Sequence, residues 1–229
     1  MSADADWQAI AREELRFFGD VSAAISHEIN NRIAVIYEKA GLLEDLASML
    51  AKGKDVDPER FRVQSRKIVE QVALAKQIVR NLNRFAHSVD VEESTVDLRE
   101  LLEFIAELYA RKAVMANATL SVAESSQAVT MTTNPFLLET LIGRGFDIAL
   151  ARIGDGSTLS IAAGAADGIV RVTFSGLDGL RDPIEVPDAA QDVPALLGWF
   201  GARFTSETDG TTLVLDIPDH ERREQGRTT

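Results

Sequence analysis

The chain contains no cysteine, so disulfides, thiolate zinc sites and cysteine nucleophiles are all excluded, and a reducing compartment fits. Proline is scarce at 6 residues, and none falls between Trp7 and Ala51. Basic charge is in deficit: 24 Lys and Arg stand against 36 Asp and Glu, a net charge of −12. That balance argues against nucleic acid as the main partner, because phosphate contacts need clustered cations, and against docking on an anionic membrane surface. Long hydrophobic runs are missing too. Ile33 to Ile36 is typical of the longest, far short of a bilayer span. Met1 to Asp6 is small and acidic, unlike a signal peptide. The expectation is a cytoplasmic protein with neither a nucleic-acid nor a membrane partner. Apolar residues make up 45% of the 229, enough to build real cores.

From Trp7 to about Ala51, Phe18, Val21, Ile25, Ile29, Ile36, Leu43, Leu46 and Leu50 recur in helical steps. At 1.5 Å per residue that helix would run roughly 65 Å, with Gly41 as a weak point inside it. Lys52 to Pro58 breaks the pattern, with Gly53 placed as a C-cap and Asp57-Pro58 as N-cap and first helical residue. A second helix follows to about Ala86, striped by Phe61, Ile68, Val72, Ala75, Val79, Leu82 and Phe85. So short a connection makes the helices antiparallel neighbours. A two-helix hairpin cannot enclose a core alone, so pairing with a second copy into a four-helix bundle is expected: a homodimer.

Ser88 to Thr95 reads as a linker. Beyond it, Val96 to Ala113 has a helical stripe, Ala118–Val122 and Val129–Thr132 alternate like strands, and Asn134-Pro135 caps a helix through Ala151. Thr158–Ala162 and Ile169–Phe174 form a hairpin around Asp167-Gly168; a short helix near Pro194 to Phe200 and a strand over Thr212–Ile217 complete the order. The expected fold class is α+β: a helical hairpin at 1–88, a sheet with helices on one face at 96–219, and a charged tail at 220–229.

Chemistry points to Ser26-His27-Glu28-Ile29-Asn30-Asn31 in the first helix. Asn31 sits one turn from His27 on nearly the same side, and Glu28 lies roughly 100° around. Ile25 and Ile29 turn toward the core, leaving the imidazole toward water. A neutral imidazole is a nucleophile near pH 7, and an adjacent carboxylate can orient it or take its proton. A His-Glu pair on a helix surface is also an ordinary feature of solvated helices, and no second histidine stands at the spacing of a zinc helix. His87 and His220 read as solvated.

Around these residues the pattern Ser-His-Glu-x-x-Asn, as Ser26, His27, Glu28 and Asn31, resembles the phosphoacceptor helix of the dimerisation and histidine-phosphotransfer domain of sensor histidine kinases. The resemblance implies that His27 accepts a phosphoryl group, that Glu28 assists proton transfer, and that Asn31 could position a water to dephosphorylate a partner response regulator. Arg32 stands where these families usually carry proline. From Val96-Asp-Leu-Arg-Glu-Leu-Leu102 onward, the order of elements resembles the ATP-binding domain of the same kinases, an α/β sandwich.

The nucleotide ligands implied by the resemblance do not carry over. Arg144 and Ile148 occupy the places of the asparagines, one of which helps hold magnesium and phosphate. Gly176 occupies the place of the adenine-binding aspartate, with Asp178 nearby, and Arg181 to Pro194 offers prolines and acids where a glycine-rich box belongs. Gly143 and Gly145 form no phosphate loop. The resulting expectation is a phosphorelay protein, a histidine phosphotransferase or pseudokinase, with His27, Glu28 and Asn31 as catalytic residues. It would hold no ATP and no metal of its own. Its partners would be response-regulator receiver domains that bring their own magnesium, with Arg16, Arg32, Arg80 and Arg84 as candidate contacts. An autophosphorylating kinase with a divergent pocket, and a non-enzymatic dimeric adaptor, remain the alternatives.

Overall fold

The computed structural model describes residues 3–124, 127–180 and 192–219. Two helices, α1 (Ala3–Ala51) and α2 (Pro58–Ser88), come first. They are followed by β1 (Ser94–Asp97), α3 (Leu98–Met115), β2 (Thr119–Val122), β3 (Thr130–Thr133) and α4 (Pro135–Leu150). The order closes with β4 (Thr158–Ala166), β5 (Ile169–Ser175), α5 (Val193–Phe200), β6 (Arg203–Ser206) and β7 (Thr212–Pro218). The chain is α+β, a long helical pair leading into a mixed sheet.

Local chemistry sets the boundaries. Asp57 Oδ1 accepts the Glu59 amide at 2.9 Å, and Pro58 opens α2 with no amide to satisfy. Asn134 caps α4 through the Leu137 amide, again with proline behind it. Between β4 and β5, Asp167 and Gly168 both adopt positive φ, as a two-residue hairpin turn of type I′ requires.

Five strands form one sheet in the order β2-β4-β5-β7-β6, parallel only between β2 and β4. Leu159, Ile161, Val170, Val172, Phe174, Leu213, Leu215 and Ile217 point to one face and are fully buried. Against that face lie α3, through Leu98, Leu102 and Ile105, and α4, through Leu138, Leu141, Ile142 and Phe146. On the other face Asp216 accepts from Arg171 at 2.6 Å and from Arg203 at 3.2 Å. The Arg171 hydrogen bond holds its carboxyl below the usual range.

Two details depart from the sequence reading. Ser94 to Asp97, assigned there to the linker and the start of a helix, is a strand that pairs antiparallel with β3 in a separate two-stranded sheet. Its last residue, Asp97, then caps α3 by accepting the Arg99 and Glu100 amides. Strand β6 carries no alternation strong enough to stand out in sequence, and it forms at the sheet edge along β7. The tail from His220 and the stretch 181–191 lie outside the described residues.

Contacts divide the chain into two compact units, Val21–Ala86 and a second that joins Met1–Asp20 to His87–Thr229. The sequence reading places the first twenty residues with the hairpin. They group instead with the sheet domain, because this stretch of α1, the arm, buries Ile10, Glu13 and Phe17. The Phe17 ring lies 6.2 Å from Phe136 of α4, and Phe18 lies 6.5 Å from the same ring. Gly143 lets the arm approach, since a Cβ there would collide with the Phe17 ring. Gly145 makes the same allowance for Phe174 of the sheet. The two α4 glycines therefore serve ring packing.

In the hairpin unit Val21, Ile25, Leu46 and Phe85 are buried. Much of the remaining apolar stripe is open: Ile33 is 54% exposed, Leu50 47% and Val69 65%, and Val72 and Val79 are also exposed.

Gly143→Ala should lower stability by about 1–3 kcal/mol through overpacking against Phe17. Urea unfolding checks this, and adding Phe17→Leu to shrink the ring should recover part of the loss. An unchanged midpoint in the single variant would refute the close approach.

Candidate functional site

His27 lies in the interior of α1, where backbone amides are committed to the helix's own ladder, so no main-chain cradle is available for an anion beside it. Its ring is exposed, as are Ser26 and, one turn later, Asn31. Ile25 beneath is buried at 5% exposure. Positions 27 and 31 are helical neighbours, with Cβ atoms about 5–6 Å apart. Glu28 is half-buried and differently engaged. Arg32, one turn on, holds its carboxylate in an ion pair and also donates to Gln71 of α2 at 3.3 Å. The residue that replaces the family's proline thus ties down the carboxylate beside His27, a link the sequence reading missed although Glu-x-x-x-Arg spacing signals it.

In the sheet domain, the positions where the resemblance asks for nucleotide ligands are used for packing. Arg144 is 3% exposed and ion-pairs with Glu13 of the arm, which is fully buried. Its guanidinium also meets Asp147 at 2.7 Å and Asp20 at 3.4 Å, and stacks 5.6 Å from the Phe17 ring. Burial works against the charge, but Glu13 and Asp147 outweigh it and raise the Arg144 pKa. Asp147 in turn accepts from Lys112 at 2.8 Å, whose ammonium sits 4.6 Å from the Tyr109 ring centre. Tyr109 donates to the Gly143 carbonyl at 2.8 Å, and its burial pushes its pKa well up. At the rim Arg12 pairs with Asp192 at 3.1 Å, and Arg12's hydrogen bond lowers the Asp192 pKa. Arg16 pairs with Glu13 at 3.2 Å.

Ile148 is buried at 2% exposure. Gly176 has φ +98°, and a Cβ there would run into the Thr158 carbonyl, so no carboxylate can be carried at that position with this backbone. Asp178, the shifted alternative, is exposed, with its amide donating to the Arg152 carbonyl at 2.9 Å. Among the described residues no three His, Asp or Glu side chains are grouped as metal ligands, and no helix is long and apolar enough to cross a membrane. Of the expected receiver contacts, Arg16 and Arg32 are engaged in these internal pairs. His87 is solvated, with Asp90 at 3.3 Å.

No protein-family model matches the chain, and no curated protein matches it by sequence. Solved structures of histidine kinases are similar to it. The kinase AdeS of Acinetobacter baumannii shares 12% identity over 80% of this chain and 95% of its own, with a TM-score of 0.44. Full-length ShkA in complex with AMPPNP shares 16% over 83% of this chain and 46% of its own, at 0.47. A blue-light activated histidine kinase of Erythrobacter litoralis shares 18% over 89% of this chain and 64% of its own, also at 0.47.

Removing Arg144 would leave the fully buried Glu13 carboxylate with only Arg16 as a charged partner. Arg144→Ala should therefore cost about 3–5 kcal/mol in thermal or urea unfolding. The double variant Glu13→Leu/Arg144→Met should lose far less, because it removes both charges and keeps the volume. A double variant no more stable than Arg144→Ala would mean that the pair is not the anchor.

Proposed function

We propose that this chain is a histidine-kinase-like phosphorelay protein that passes a phosphoryl group through His27 between response-regulator aspartates, without using ATP. The observation that carries the reading is an exposed imidazole in a helix interior, flanked by Glu28 and Asn31, in a chain whose Arg144 is committed to a buried ion pair.

In the forward step a neutral ring nitrogen of His27 attacks the phosphorus of a receiver phosphoaspartate. The new N–P bond forms as the acyl-phosphate P–O bond breaks, and the aspartate carboxylate leaves. The proton lost from the imidazolium passes to Glu28 or to water. Return transfer reverses each step. Acyl phosphate and phosphohistidine are both high-energy, so alignment contributes more than acid–base strength. The helix offers no amide cradle for the phosphoryl oxygens, so their charge would be met by the magnesium that a receiver domain brings. In this reading Asn31, one helical turn from His27 and exposed, orients a water for regulator dephosphorylation.

The exposed stripe of Ile33, Leu50, Val69, Val72 and Val79 supports a homodimer through the hairpin, since covering such a face follows from apolar burial. In this reading the dimer works in the cytoplasm, and the sheet domain serves as a docking surface for the receiver.

Labelled ATP alone should leave His27 unlabelled, whereas a labelled phosphoreceiver should transfer label to wild type and not to His27→Ala. Label from ATP alone would replace the relay with an autokinase. Unchanged regulator phosphorylation in His27→Ala would leave only an adaptor. Asn31→Ala should keep His27 phosphorylation intact while slowing regulator dephosphorylation, as followed by phosphate release. An equal loss of both would make Asn31 structural.

A further inference from the structure

Strand β2 stands at one edge of the five-stranded sheet, with β4 as its one neighbour among the described residues. In that parallel ladder the Thr119 amide donates to the Ser157 carbonyl at 3.0 Å and the Ala123 amide to the Ile161 carbonyl at 2.8 Å. The odd-numbered residues therefore turn their amides and carbonyls toward β4, and Leu120 and Val122 turn theirs outward. Neither of these two amides meets a backbone acceptor among the described residues. Exposed edges are ordinarily blunted by charged side chains, proline or a bulge. The opposite edge strand, β6, carries Arg203, whereas β2 reads Thr-Leu-Ser-Val in unbroken register and has none of these devices.

Beside this edge an open groove of about 640 Å³ runs between β2 and the outer flank of α3. Helix α3 runs back along β2. The Ala118 amide donates to the Ala113 carbonyl at 2.9 Å, and at the other end Leu102 and Val122 line one small cavity. The groove consequently has two unlike ends. Toward Thr119 it is walled by Ala110 and Val114, the latter 76% exposed. Toward Val122 it is walled by Glu103 and Glu107, on a chain that already carries a net charge of −12. Alanine at 106 and 110 leaves room beside β2 for the side chains of one more strand.

We propose that β2 and the flank of α3 form a strand-addition site for an extended segment of a partner protein, one with a basic and an apolar residue two positions apart. The segment's backbone bonds to Leu120 and Val122, and this supplies affinity whatever the side chains. Side chains alternate across a strand, so the two inward positions are separated by one residue. The inward apolar side chain lies over Ala110 and against Val114, and the inward Lys or Arg reaches Glu103 and Glu107. Antiparallel addition, the slightly stronger form, sets the order as basic-x-apolar from the segment's N-terminus. A second copy of this chain is the poorer occupant, because its own β2 has no basic residue to offer the glutamates. The inference stands apart from the phosphorelay reading, since no residue of the hairpin unit takes part.

The probe is the acetylated and amidated peptide Thr-Arg-Thr-Val-Thr, titrated to millimolar concentration into isotope-labelled full-length protein and followed by NMR. The Leu120 and Val122 amide signals should move downfield and saturate as their hydrogen bonds form. Methylating the peptide's Arg and Val backbone nitrogens keeps its charge and removes the donors that face β2, so binding should weaken by about tenfold. Ala110→Arg, at an exposed helical position, should weaken binding of the unmethylated peptide comparably, by filling the groove and repelling its cation. Absence of a saturable shift at Leu120 and Val122 would overturn the site. Equal binding of the methylated peptide would reduce it to charge attraction and overturn strand addition. Signals of the same two amides that move when peptide-free protein is diluted would assign the edge to a second copy and overturn the partner segment.

Discussion

One buried guanidinium organises the sheet domain's contact with the N-terminal arm. Arg144 cannot exist charged inside α4 without carboxylates, and three converge on it: Glu13 and Asp20 from the arm and Asp147 from its own helix. Much else follows from that requirement. Glu13 must be buried, so the arm must lie down on α4; Phe17 comes with it, and Gly143 must then be glycine. Lys112 balances Asp147 from α3, while Arg16 adds a second cation at Glu13. A pair of this kind adds little net stability over a well-packed apolar substitute. What it does supply is discrimination, since an arm shifted by one residue would bury a lone charge.

The same residue bears on the chemistry. At that point on α4 the guanidinium is committed to Glu13, Asp20 and Asp147 through Nε and one terminal nitrogen, while its other terminal nitrogen is buried without a hydrogen-bond partner. Glu28 is comparably occupied in the hairpin unit, where Arg32 holds it and leans on Gln71. Both arginines stand where the resemblance asks for something else.

Periodicity and punctuation exposed much of this architecture in advance. The long stripe of α1 and α2, the Asp57-Pro58 and Asn134-Pro135 caps and the Asp167-Gly168 turn are local signals, and the structure uses each as read. What stayed hidden depends on partners distant in sequence. Strand β1 is four residues whose only reason to be extended is β3, and β6 exists because β7 offers an edge. The arm was the largest such case. Phe17 and Val21 continue one helical stripe without a break, so nothing local says that the two bury in different units. That residues 27 and 31 are neighbours on one helix was legible from spacing, whereas the partner of Glu13, 131 residues away, was not.

Gly176 carries a consequence for substitution as well as for form. Its backbone sits in a conformation that excludes side chains, with the Thr158 carbonyl in the space a Cβ would need. Placing an acidic side chain there would first require the loop to adopt another path. Two changes, one in the loop path and one in the side chain, are needed together to place an aspartate at that position. The glycine therefore locks the loop path, and no single substitution at this position can add a carboxylate to it.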